Sequence, residues 1–434
     1  MWVPSEGVRC AFESRKAGWC RLESMIAAWA PPRIKQVLVS PVHGTPYLNT
    51  SQVFESIPKP RKWLAAGRTA ALQSRLVREG TILVMASATV GRTIVATRHH
   101  EGSIISHHFM RAIPHDSADA GWVYAFLRSD QGQAMMRSSQ YASIIRHIEP
   151  NHLLSIPIPR ISEREREHFG QMLSEIVRLR NAAADLMERA FRAYERAFLA
   201  KDAQDSDWGF EVSIADASAG RRRFEASFHT PVARSIVRRM RRQQPLAEVT
   251  TGVWWGNRFK RIPSASGQPY LSADDLFTTN PYEIEKIVVA DGGRSDHLVV
   301  EPGWILMACS GQTYGLNGSA KIVTEYHRAF LLSHDIIRII PDRSKIRTGY
   351  LLIALTHPTL GRPLVLREAY GSSIPHIEPL DLAKMPIARS TEEIENEVAD
   401  LAEEAASALS RAEAQERKMV EDASHTVEAF LSAT

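Results

Sequence analysis

Cysteine and long apolar runs are both scarce in this sequence of 434 residues. Only Cys10, Cys20 and Cys309 occur, and their spacing suits neither a disulfide framework nor a zinc site. No apolar stretch is long enough to cross a membrane, and the first residues lack the apolar core of a signal peptide. These absences predict a cytoplasmic protein without disulfides and with no membrane partner.

Recognisable catalytic motifs are also missing. No glycine-rich loop has the spacing of a phosphate-binding loop, and no Ser/His/Asp or paired-carboxylate set stands out. The tripeptide at 280–282, Asn-Pro-Tyr, faintly resembles an amino-methyltransferase motif but lacks its second proline, so we interpret it as a turn. His99-His100 and His107-His108 lack further ligands at metal-site spacing, which favours structural or surface histidines. We therefore expect no catalytic residue, no metal and no cofactor in this chain.

Positive charge is unevenly distributed along the chain. Residues 1–160 carry 19 Lys and Arg against 10 Asp and Glu, and residues 206–389 carry 23 against 18. Residues 161–205 are nearly neutral, with 8 against 9, and residues 390–434 are acidic, with 3 against 12. Two basic segments therefore alternate with neutral or acidic ones, which indicates a polyanionic partner for the basic segments.

The two basic segments repeat one another. Pro46-Tyr47-Leu48 matches Pro269-Tyr270-Leu271 at a distance of 223 residues. The other matches are Gly80-Thr-Ile-Leu83 with Gly303-Trp-Ile-Leu306, Ser87 with Ser310, Ser106-His107 with Ser333-His334, Arg111 with Arg338, Tyr141-Ala-Ser143 with Tyr370-Gly-Ser372, His147-Ile-Glu-Pro150 with His376-Ile-Glu-Pro379, and Ile156-Pro157-Ile158 with Met385-Pro386-Ile387. The chain is therefore a tandem of units about 200 residues long, each a globular segment followed by a long helix.

The two long helices are predicted from Ser162 to Lys201 and from Thr391 to the C-terminus. Capping-box patterns open both, at Ser162 with Glu165 and at Ser390 with Glu393. Apolar and small residues recur at alternating steps of three and four, the period of a helix that buries a seam against another helix. The predicted helix-pair interface is Phe169, Met172, Ile176, Leu179, Leu186, Ile394, Val398, Leu401 and Met419. We expect the helices to pair antiparallel as a rigid spacer; the alternative is two amphipathic helices packed on their own domains.

Short strands and helices are both predicted within each globular segment. The predicted strands are 81–85, 104–113, 305–307 and 336–340, and the predicted helices are 122–136 and 349–355. The fold class is therefore α+β, with a small and largely β core in each unit.

The repeated order of these motifs resembles the specificity (S) subunits of type I restriction–modification systems. Pro-Tyr-Leu, Gly-x-Ile-Leu, Tyr-x-Ser with His-Ile-Glu-Pro, a Pro-Ile step and a long helix occur twice, over almost the whole chain. The resemblance implies two tandem α/β target-recognition domains, each of which reads one half of a bipartite double-stranded DNA target. These would be residues 1–160 and 206–389, with spacer helices at 161–205 and 390–434 that form a pseudo-twofold antiparallel coiled coil.

The resemblance also implies the partners. The chain would be a non-catalytic subunit of anti-phage defence that directs two DNA methyltransferase subunits, which methylate adenine with S-adenosylmethionine. Many such systems add an ATP-driven restriction and translocase subunit. The sequence departs from the usual form in lacking Glu-Gln before the first long helix, and residues 1–40 do not align cleanly with 206–260. These departures would also fit a close relative of the S subunits in another phage-defence methylation system. The alternative is a non-catalytic coiled-coil scaffold that binds protein and no DNA.

Loops between the repeated strands differ between the two copies, as two different half-sites would require. They carry side chains suited to phosphates and base edges. The DNA-binding candidates are Lys59, Arg61, Lys62, Arg68, Ser87, Thr89, Arg92, Arg98 and Arg146 in the first copy, and Asn257, Arg258, Lys260, Arg261, Arg294, Gln312 and Tyr314 in the second. Ordinary solvated loops are the alternative. The Arg-rich segment Arg221–Arg242 is either a solvated helix face or a contact with phosphate or a partner.

Overall fold

The chain divides into two compact units in the computed structural model. The structure describes residues 8–10, 12–13, 18–65, 72, 75–139, 147–199, 209–218, 223–279, 281, 284–289 and 298–432. Unit 1 comprises Met1–Ala182 and Arg411–Thr434, and unit 2 comprises Ala183–Ser410. Each unit contains strands and helices, so the predicted α+β class is confirmed.

Antiparallel pairing dominates the sheets of unit 1. Its strands are β1 (Trp19–Arg21), β2 (Ile26–Trp29), β3 (Leu38–Val39), β4 (Thr45–Leu48), β5 (Lys62–Leu64), β6 (Ile82–Met85), β7 (Thr93–Val95), β8 (Ile104–Ile105), β9 (Phe109–Pro114) and β10 (Pro157–Pro159). One four-stranded sheet has the order β2-β9-β6-β7, and a second has the order β3-β5-β4-β8 with β4 and β8 parallel. Strands β1 and β10 form a separate pair. The central strand β6 is buried along its whole length because sheet neighbours and core side chains cover it.

Unit 2 repeats this arrangement almost strand for strand. Its strands are β11 (Arg242–Pro245), β12 (Thr250–Trp255), β13 (Arg261–Leu271), β14 (Lys286–Val289), β15 (Ile305–Ala308), β16 (Ala320–Ile322), β17 (Leu331–Leu332), β18 (Ile336–Pro341) and β19 (Pro386–Arg389). The four-stranded sheet has the order β12-β18-β15-β16, and β13 and β17 run parallel as β4 and β8 do. Strands β11 and β19 pair as β1 and β10 do.

The helices are likewise repeated. Their bounds are α1 (Thr50–Val53), α2 (Ala120–Arg128), α3 (Asp130–Ser138), α4 (Pro150–Leu154), α5 (Glu163–Tyr194), α6 (Ile214–Ser218), α7 (Pro231–Arg239), α8 (Ala273–Phe277), α9 (Thr348–Thr356), α10 (Arg362–Arg367), α11 (Pro379–Leu382) and α12 (Glu392–Ser432). Gly121 in α2 and Gly349 in α9 lie at equivalent places against a long helix. A Cβ on Gly121 would lie 2.3 Å from the Phe169 carbonyl, and one on Gly349 would lie 2.4 Å from the Ala399 oxygen. Glycine therefore allows each of these close helix contacts.

Four details of the predicted secondary structure were wrong. The first long helix, predicted to run to Lys201, ends at Tyr194, because a short 3-10 turn follows at Glu195–Ala197 and the backbone is extended at Phe198. The strand predicted at 104–113 is two strands in different sheets, because the chain turns at Ser106 between β8 and β9. The helix predicted at 122–136 is broken at Ser129, whose hydroxyl accepts a hydrogen bond from the Gly132 amide and caps α3. At the second long helix, the Ser390 amide donates to Glu395 rather than to Glu393.

The two long helices run antiparallel within each unit. In unit 1, His168 near the start of α5 lies 3.6 Å from Asp422, and Glu175 lies 3.5 Å from Arg411, so the order along α12 is reversed. In unit 2, Arg196, just beyond the end of α5, forms an ion pair with Glu397 near the start of α12. The predicted Ser162–Glu165 capping box is present, with 2.8 Å from the Ser162 amide to the Glu165 carboxylate.

Nearly all of the predicted helix-pair residues are buried. Phe169, Met172, Ile176, Leu179, Leu186, Val398, Leu401 and Met419 are each exposed by less than a tenth. Ile394 is partly exposed. In unit 1, Phe169, Met172 and Ile176 share one apolar core with Met419. The two helices therefore contribute to the core of unit 1 together.

A buried ionic cluster lies between the long helices of unit 1. The Glu416 carboxylate is fully buried, and it accepts hydrogen bonds from Arg180, Tyr124 and Arg128, with 2.5 Å to Arg128 Nη1. Burial by itself would raise the pKa of Glu416, but Arg180 and Arg128 bring it below the ordinary value. The carboxylate is therefore ionised and held from two helices at once.

Candidate nucleic-acid interface

A buried arginine organises the same turn in both units. We name this turn the repeat turn: Ser106–His108 in unit 1 and Ser333–Asp335 in unit 2. The Arg111 guanidinium, 1% exposed, donates to the carbonyls of Ser106 and Ile105, at 3.3 and 2.8 Å. Arg338, fully buried, donates to the equivalent carbonyls of Ser333 and Leu332, at 2.9 and 3.4 Å. Each turn is therefore fixed from inside the unit.

Burial lowers the pKa of both arginines to about 10. Both guanidinium groups therefore stay charged at neutral pH, and charge-assisted hydrogen bonds to carbonyl oxygens are stronger than neutral ones. A fixed turn presents its outer side chains in one geometry, which a recognition surface needs.

A second segment packs beside each repeat turn. We name it the strand-end loop: Ser87–Gly91 after β6 and Ser310–Gly318 after β15. The Ala86 amide donates to the His108 carbonyl at 2.7 Å, and the Cys309 amide donates to the Asp335 carbonyl at 3.3 Å. The residue after the repeated serine has a positive φ in both loops: 65° at Ala88 and 111° at Gly311. A left-handed alanine is strained, and such strain is concentrated at functional loops.

A third segment completes the arrangement. His147 and His376 form isolated bridges with Ser87 and Ser310 of the two strand-end loops. The next residue, Ile148 or Ile377, donates its amide to the carbonyl before each loop, at 2.9 and 2.8 Å. The repeated His-Ile-Glu-Pro motif therefore holds the strand-end loop in place, and its recurrence has a structural cause.

Histidines and a guanidinium meet on the surface of unit 1. His108 Nδ1 lies 2.6 Å from the Ser87 hydroxyl, and the His107 and His108 rings lie 4.1 Å apart. Burial, then the charge of His147, then that of Arg33 lower the pKa of His108. Burial, His108 and Arg33 lower that of His107 in the same way. This surface therefore carries a permanent positive charge beside histidines that are neutral at pH 7.

Unit 2 has arginines and an aspartate at the corresponding place. His334 Nε2 lies 3.5 Å from the Asp335 carboxylate, and the Phe259 ring packs edge-on against the His334 ring at 6.3 Å. Burial lowers the pKa of His334, Asp335 raises it, and Arg258 and Arg261 lower it. The connection between β12 and β13, which holds Arg258, and the first residue of β13, Arg261, therefore lie beside the repeat turn.

The strand-end loop of unit 2 is tied down at several points. Arg362 donates to the carbonyls of Thr313 and Gly315, at 3.3 and 3.0 Å. Gln312 Nε2 donates to the Ser373 carbonyl at 2.7 Å, and the buried Asn317 amide donates to the Gly311 carbonyl at 3.0 Å. Tyr314, in contrast, is 75% exposed. The loop is a fixed platform from which one aromatic ring projects.

The predicted residues of unit 1 fall into several groups. Lys59, Lys62 and Thr89 are exposed, Arg61 pairs with Glu55 at 2.7 Å, and the Arg92 guanidinium lies 3.8 Å from the centre of the Phe54 ring. Ser87 is buried and lies beside His108. The Arg98 amide donates to Asn181 of α5, so Arg98 lies next to a long helix rather than the repeat turn. Arg68 and Arg146 lie outside the described residues.

The predicted residues of unit 2 are gathered more closely. Asn257, Arg258 and Lys260 are exposed on the β12–β13 connection, and Arg261 is exposed at the start of β13. Gln312 and Tyr314 are exposed on the strand-end loop. Through Phe259 and His334, and through the contact of Cys309 with Asp335, these two segments border the same repeat turn. Arg294 lies outside the described residues.

Sequence reasoning missed several residues of these surfaces. Strand β3 corresponds to the start of β13, so the segment before it, with exposed Arg33 and Lys35, is the counterpart of the β12–β13 connection. The poor alignment of residues 1–40 hid this correspondence. The outer turn residues His108 and Asp335 were missed because only His107 has an identical counterpart. His100 also has an unnoticed counterpart, His327: both accept at Nδ1 from a threonine amide, at 3.0 and 3.1 Å.

Metal-binding and membrane-spanning features are both absent from the described residues. Within the part of the chain that the structure describes, no group of His, Cys, Asp and Glu is arranged to hold a metal ion. No helix among the described residues combines the length and the apolarity needed to cross a membrane.

The comparisons with known proteins gave matches among solved structures alone. No protein-family model and no curated protein matches the chain. The S subunit of a type I restriction–modification system from M. genitalium is 13% identical, with a TM-score of 0.34, over 95% of this chain and 94% of that chain. The HsdS subunit from Thermoanaerobacter tengcongensis is 17% identical, with a TM-score of 0.28, over 95% of each chain.

A third solved structure, of a type I restriction–modification system, is 17% identical, with a TM-score of 0.30, over 96% of this chain and 98% of that chain. The first and third of these structures belong to type I restriction–modification systems. At these identities and TM-scores, the matches by themselves assign no activity or partner to this chain.

Proposed function

We propose that this chain is a sequence-specific DNA-binding subunit that reads a two-part target, one half with each unit. The main support is the duplicated surface: a repeat turn, a strand-end loop and a histidine bridge are built twice on the same scaffold. The exposed side chains on that scaffold differ between the units, with Arg33 and His108 in one and Arg258 and Asp335 in the other. One scaffold with two sets of outer side chains suits two different half-sites.

Charge favours DNA as the partner. The globular segments carry net positive charges of +9 and +5, from the Lys, Arg, Asp and Glu counts given above, which favours phosphate binding. Exposed arginines stand beside fixed loops, and such loops can place side chains against base edges. A scaffold that binds only protein would need no such repeated basic surface.

We also infer that the chain is non-catalytic and directs two adenine methyltransferase subunits, with a restriction and translocase subunit as a further partner. This inference rests on the motif order and the antiparallel helices. S-adenosylmethionine would be bound by the partner subunits. Co-expression with a candidate methyltransferase, followed by sequencing of methylated adenines, tests it: a new bipartite motif that disappears without this chain is expected.

DNA recognition itself is tested with the purified full-length chain. Selection from a randomised double-stranded library should enrich two short conserved blocks separated by an unconserved gap. Enrichment of a single block would remove one unit from recognition. No enrichment, with no binding to any duplex at low salt, would reject the proposed function and favour a protein-binding scaffold.

A further inference from the structure

The outer residue of the repeat turn differs in chemistry between the two units. His108 and Asp335 are equivalent by position, since each immediately precedes the strand that follows the turn, β9 or β18. They are also equivalent by contact: each donates its amide towards the turn serine, at 3.4 Å to Ser106 and 3.1 Å to Ser333. The carbonyls of His108 and Asp335 accept from the amides of Ala86 and Cys309, the residues that immediately precede the two strand-end loops. The backbone is thus shared, and the side chain alone distinguishes the two units here.

The aspartate is the informative member of the pair. Its carboxylate is 40% exposed, and its neighbours include the charges of Arg258 and Arg261 around His334. A carboxylate cannot contact a phosphate, because both are anions. Within a basic DNA-binding surface, its favourable partner is a hydrogen-bond donor on a base, namely the amino group of cytosine or adenine in the major groove.

The histidine has the complementary chemistry. Its Nδ1 lies 2.6 Å from the Ser87 hydroxyl, so Nε2 is the ring nitrogen available to an outside partner. When that hydroxyl donates to Nδ1, Nε2 carries the hydrogen and is a donor. A donor at this position fits the guanine N7 and O6 acceptors, which no cytosine presents.

We propose that His108 and Asp335 each contact one base pair and set one position of their half-sites, with an acceptor-bearing purine preferred by His108 and an amino-bearing base, cytosine first, preferred by Asp335. This inference rests on the proposed function and deepens it, because it names the residues and the base chemistry. Arg111 and Arg338 serve as positioning residues that fix the turns from below.

The test exchanges the two side chains in the full-length chain. Wild type, His108→Asp and Asp335→His are each used to select from the same randomised duplex library, followed by sequencing. His108→Asp should change the preferred base at one position of one block, and Asp335→His at one position of the other. The expected preference between matched and mismatched bases at that position is about tenfold, as for a single direct base contact.

Two controls separate base reading from a general effect on the surface. His115→Asp alters the residue after β9, at the opposite end of the strand that begins beside His108, and Asp274→His alters an exposed aspartate in α8. Both should select the wild-type motif. Asp335→Asn replaces one carboxylate oxygen with an amino group, so the side chain carries one donor and one acceptor. This pair matches adenine N7 and N6, so the preference should shift from cytosine towards adenine. Thermal unfolding of every variant confirms that the fold is intact.

The outcomes distinguish this inference from the proposed function. If wild type selects a two-block motif and both exchange variants, still folded, select the same motif, His108 and Asp335 do not read bases and the inference is overturned. Equal weakening on every sequence, with an unchanged motif, would also overturn it and would assign the effect to the changed charge of the turn. If wild type binds no DNA, the proposed function fails and this inference fails with it.

Discussion

Single buried residues decide how the surface of each unit is presented. Arg111 and Arg338 each place a guanidinium beneath a turn, where it donates to the carbonyl of the last residue of β8 or β17 and to the carbonyl of the turn serine. Burying a guanidinium costs free energy, and this cost is offset only when its hydrogen bonds are made. The sequence shows both arginines at repeated positions. However, Arg111 inside the apolar segment 104–113 did not indicate that this segment forms two strands, β8 and β9.

A buried histidine makes the stability of unit 1 depend on pH. Burial lowers the pKa of His100 to about 4, whereas an unfolded histidine titrates near 6.5. Between these values the unfolded chain binds a proton that the folded chain excludes, so stability falls as the pH drops from about 6.5 towards 4. Between pH 7.5 and 5.0 the loss from this group should be about 2 kcal/mol.

Urea unfolding of wild type and His100→Gln at the two pH values checks this expectation. The variant should be less stable at pH 7.5, because the bond from Nε2 to the Val53 carbonyl is altered, but it should lose less stability on acidification. His43→Gln, at an exposed position, should behave as wild type. An equal acid loss in His100→Gln would show that other groups control the pH dependence.

Arg258 tests direct recognition by unit 2. It is exposed beside His334, and its long, planar donor group suits guanine. Arg258→Ala should cost about 1–3 kcal/mol of binding free energy on the preferred sequence and relax one position of one half-site only. Fluorescence anisotropy with duplexes mutated in either half measures both effects. Arg343→Ala, at an exposed position after β18, is the matched control. A loss of equal size on every duplex would assign Arg258 to a phosphate.

Among the helices and strands, residue periodicity predicted the long elements, but it did not predict where shorter elements are interrupted. The three-and-four spacing identified both long helices, and Gly80 and Gly303, which have positive φ values, marked the turns before the buried strands. The break at Ser129 was missed because one polar residue inside a helical pattern is common. The correspondence of Arg33 and Lys35 with the β12–β13 connection was not found from sequence matches. It follows from the equivalent strand pairing of β3 and the start of β13.

The ionic cluster between the long helices yields a prediction at this scale. Glu416→Gln leaves Arg180 and Arg128 next to a neutral amide inside unit 1, so unfolding should become easier by about 3–5 kcal/mol at pH 7. The folded pKa of Glu416 lies below its ordinary value, so wild type keeps this contribution above that value and loses it as the pH falls through the folded pKa.

Denaturant unfolding at pH 7 and at acid pH measures the difference in unfolding free energy between wild type and Glu416→Gln. This difference should become smaller in acid. Glu421→Gln, at an exposed position of the same helix, is the control and should change stability little. Equal stability of Glu416→Gln and wild type at pH 7 would mean that the cluster contributes no net stability.

Positive and negative charge are separated along the whole chain. The globular segments are basic, and α12 lies in a segment with 12 acidic against 3 basic residues. The overall net charge of +4 hides this pattern. A DNA-binding role for the basic surfaces alone predicts that binding depends strongly on salt and that the dependence belongs to particular residues.

The salt dependence can be assigned residue by residue. Each phosphate that a protein neutralises releases counterions, so the logarithm of the binding constant falls with the logarithm of salt concentration by about 0.9 per contact. Lys35→Gln, on the segment of unit 1 that corresponds to the β12–β13 connection, should therefore reduce the slope by about one. Lys418→Gln removes the same charge from the acidic helix α12, where Lys418 pairs with Asp422 at 2.9 Å, and should leave the slope unchanged.

The measurement is anisotropy titration of a selected duplex and of a random duplex between low and moderate salt. The reduction should be the same for both duplexes, because a phosphate contact carries no sequence information. A reduction on the selected duplex alone would instead make Lys35 a base contact, and equal slopes for wild type and Lys35→Gln would remove this segment from the interface.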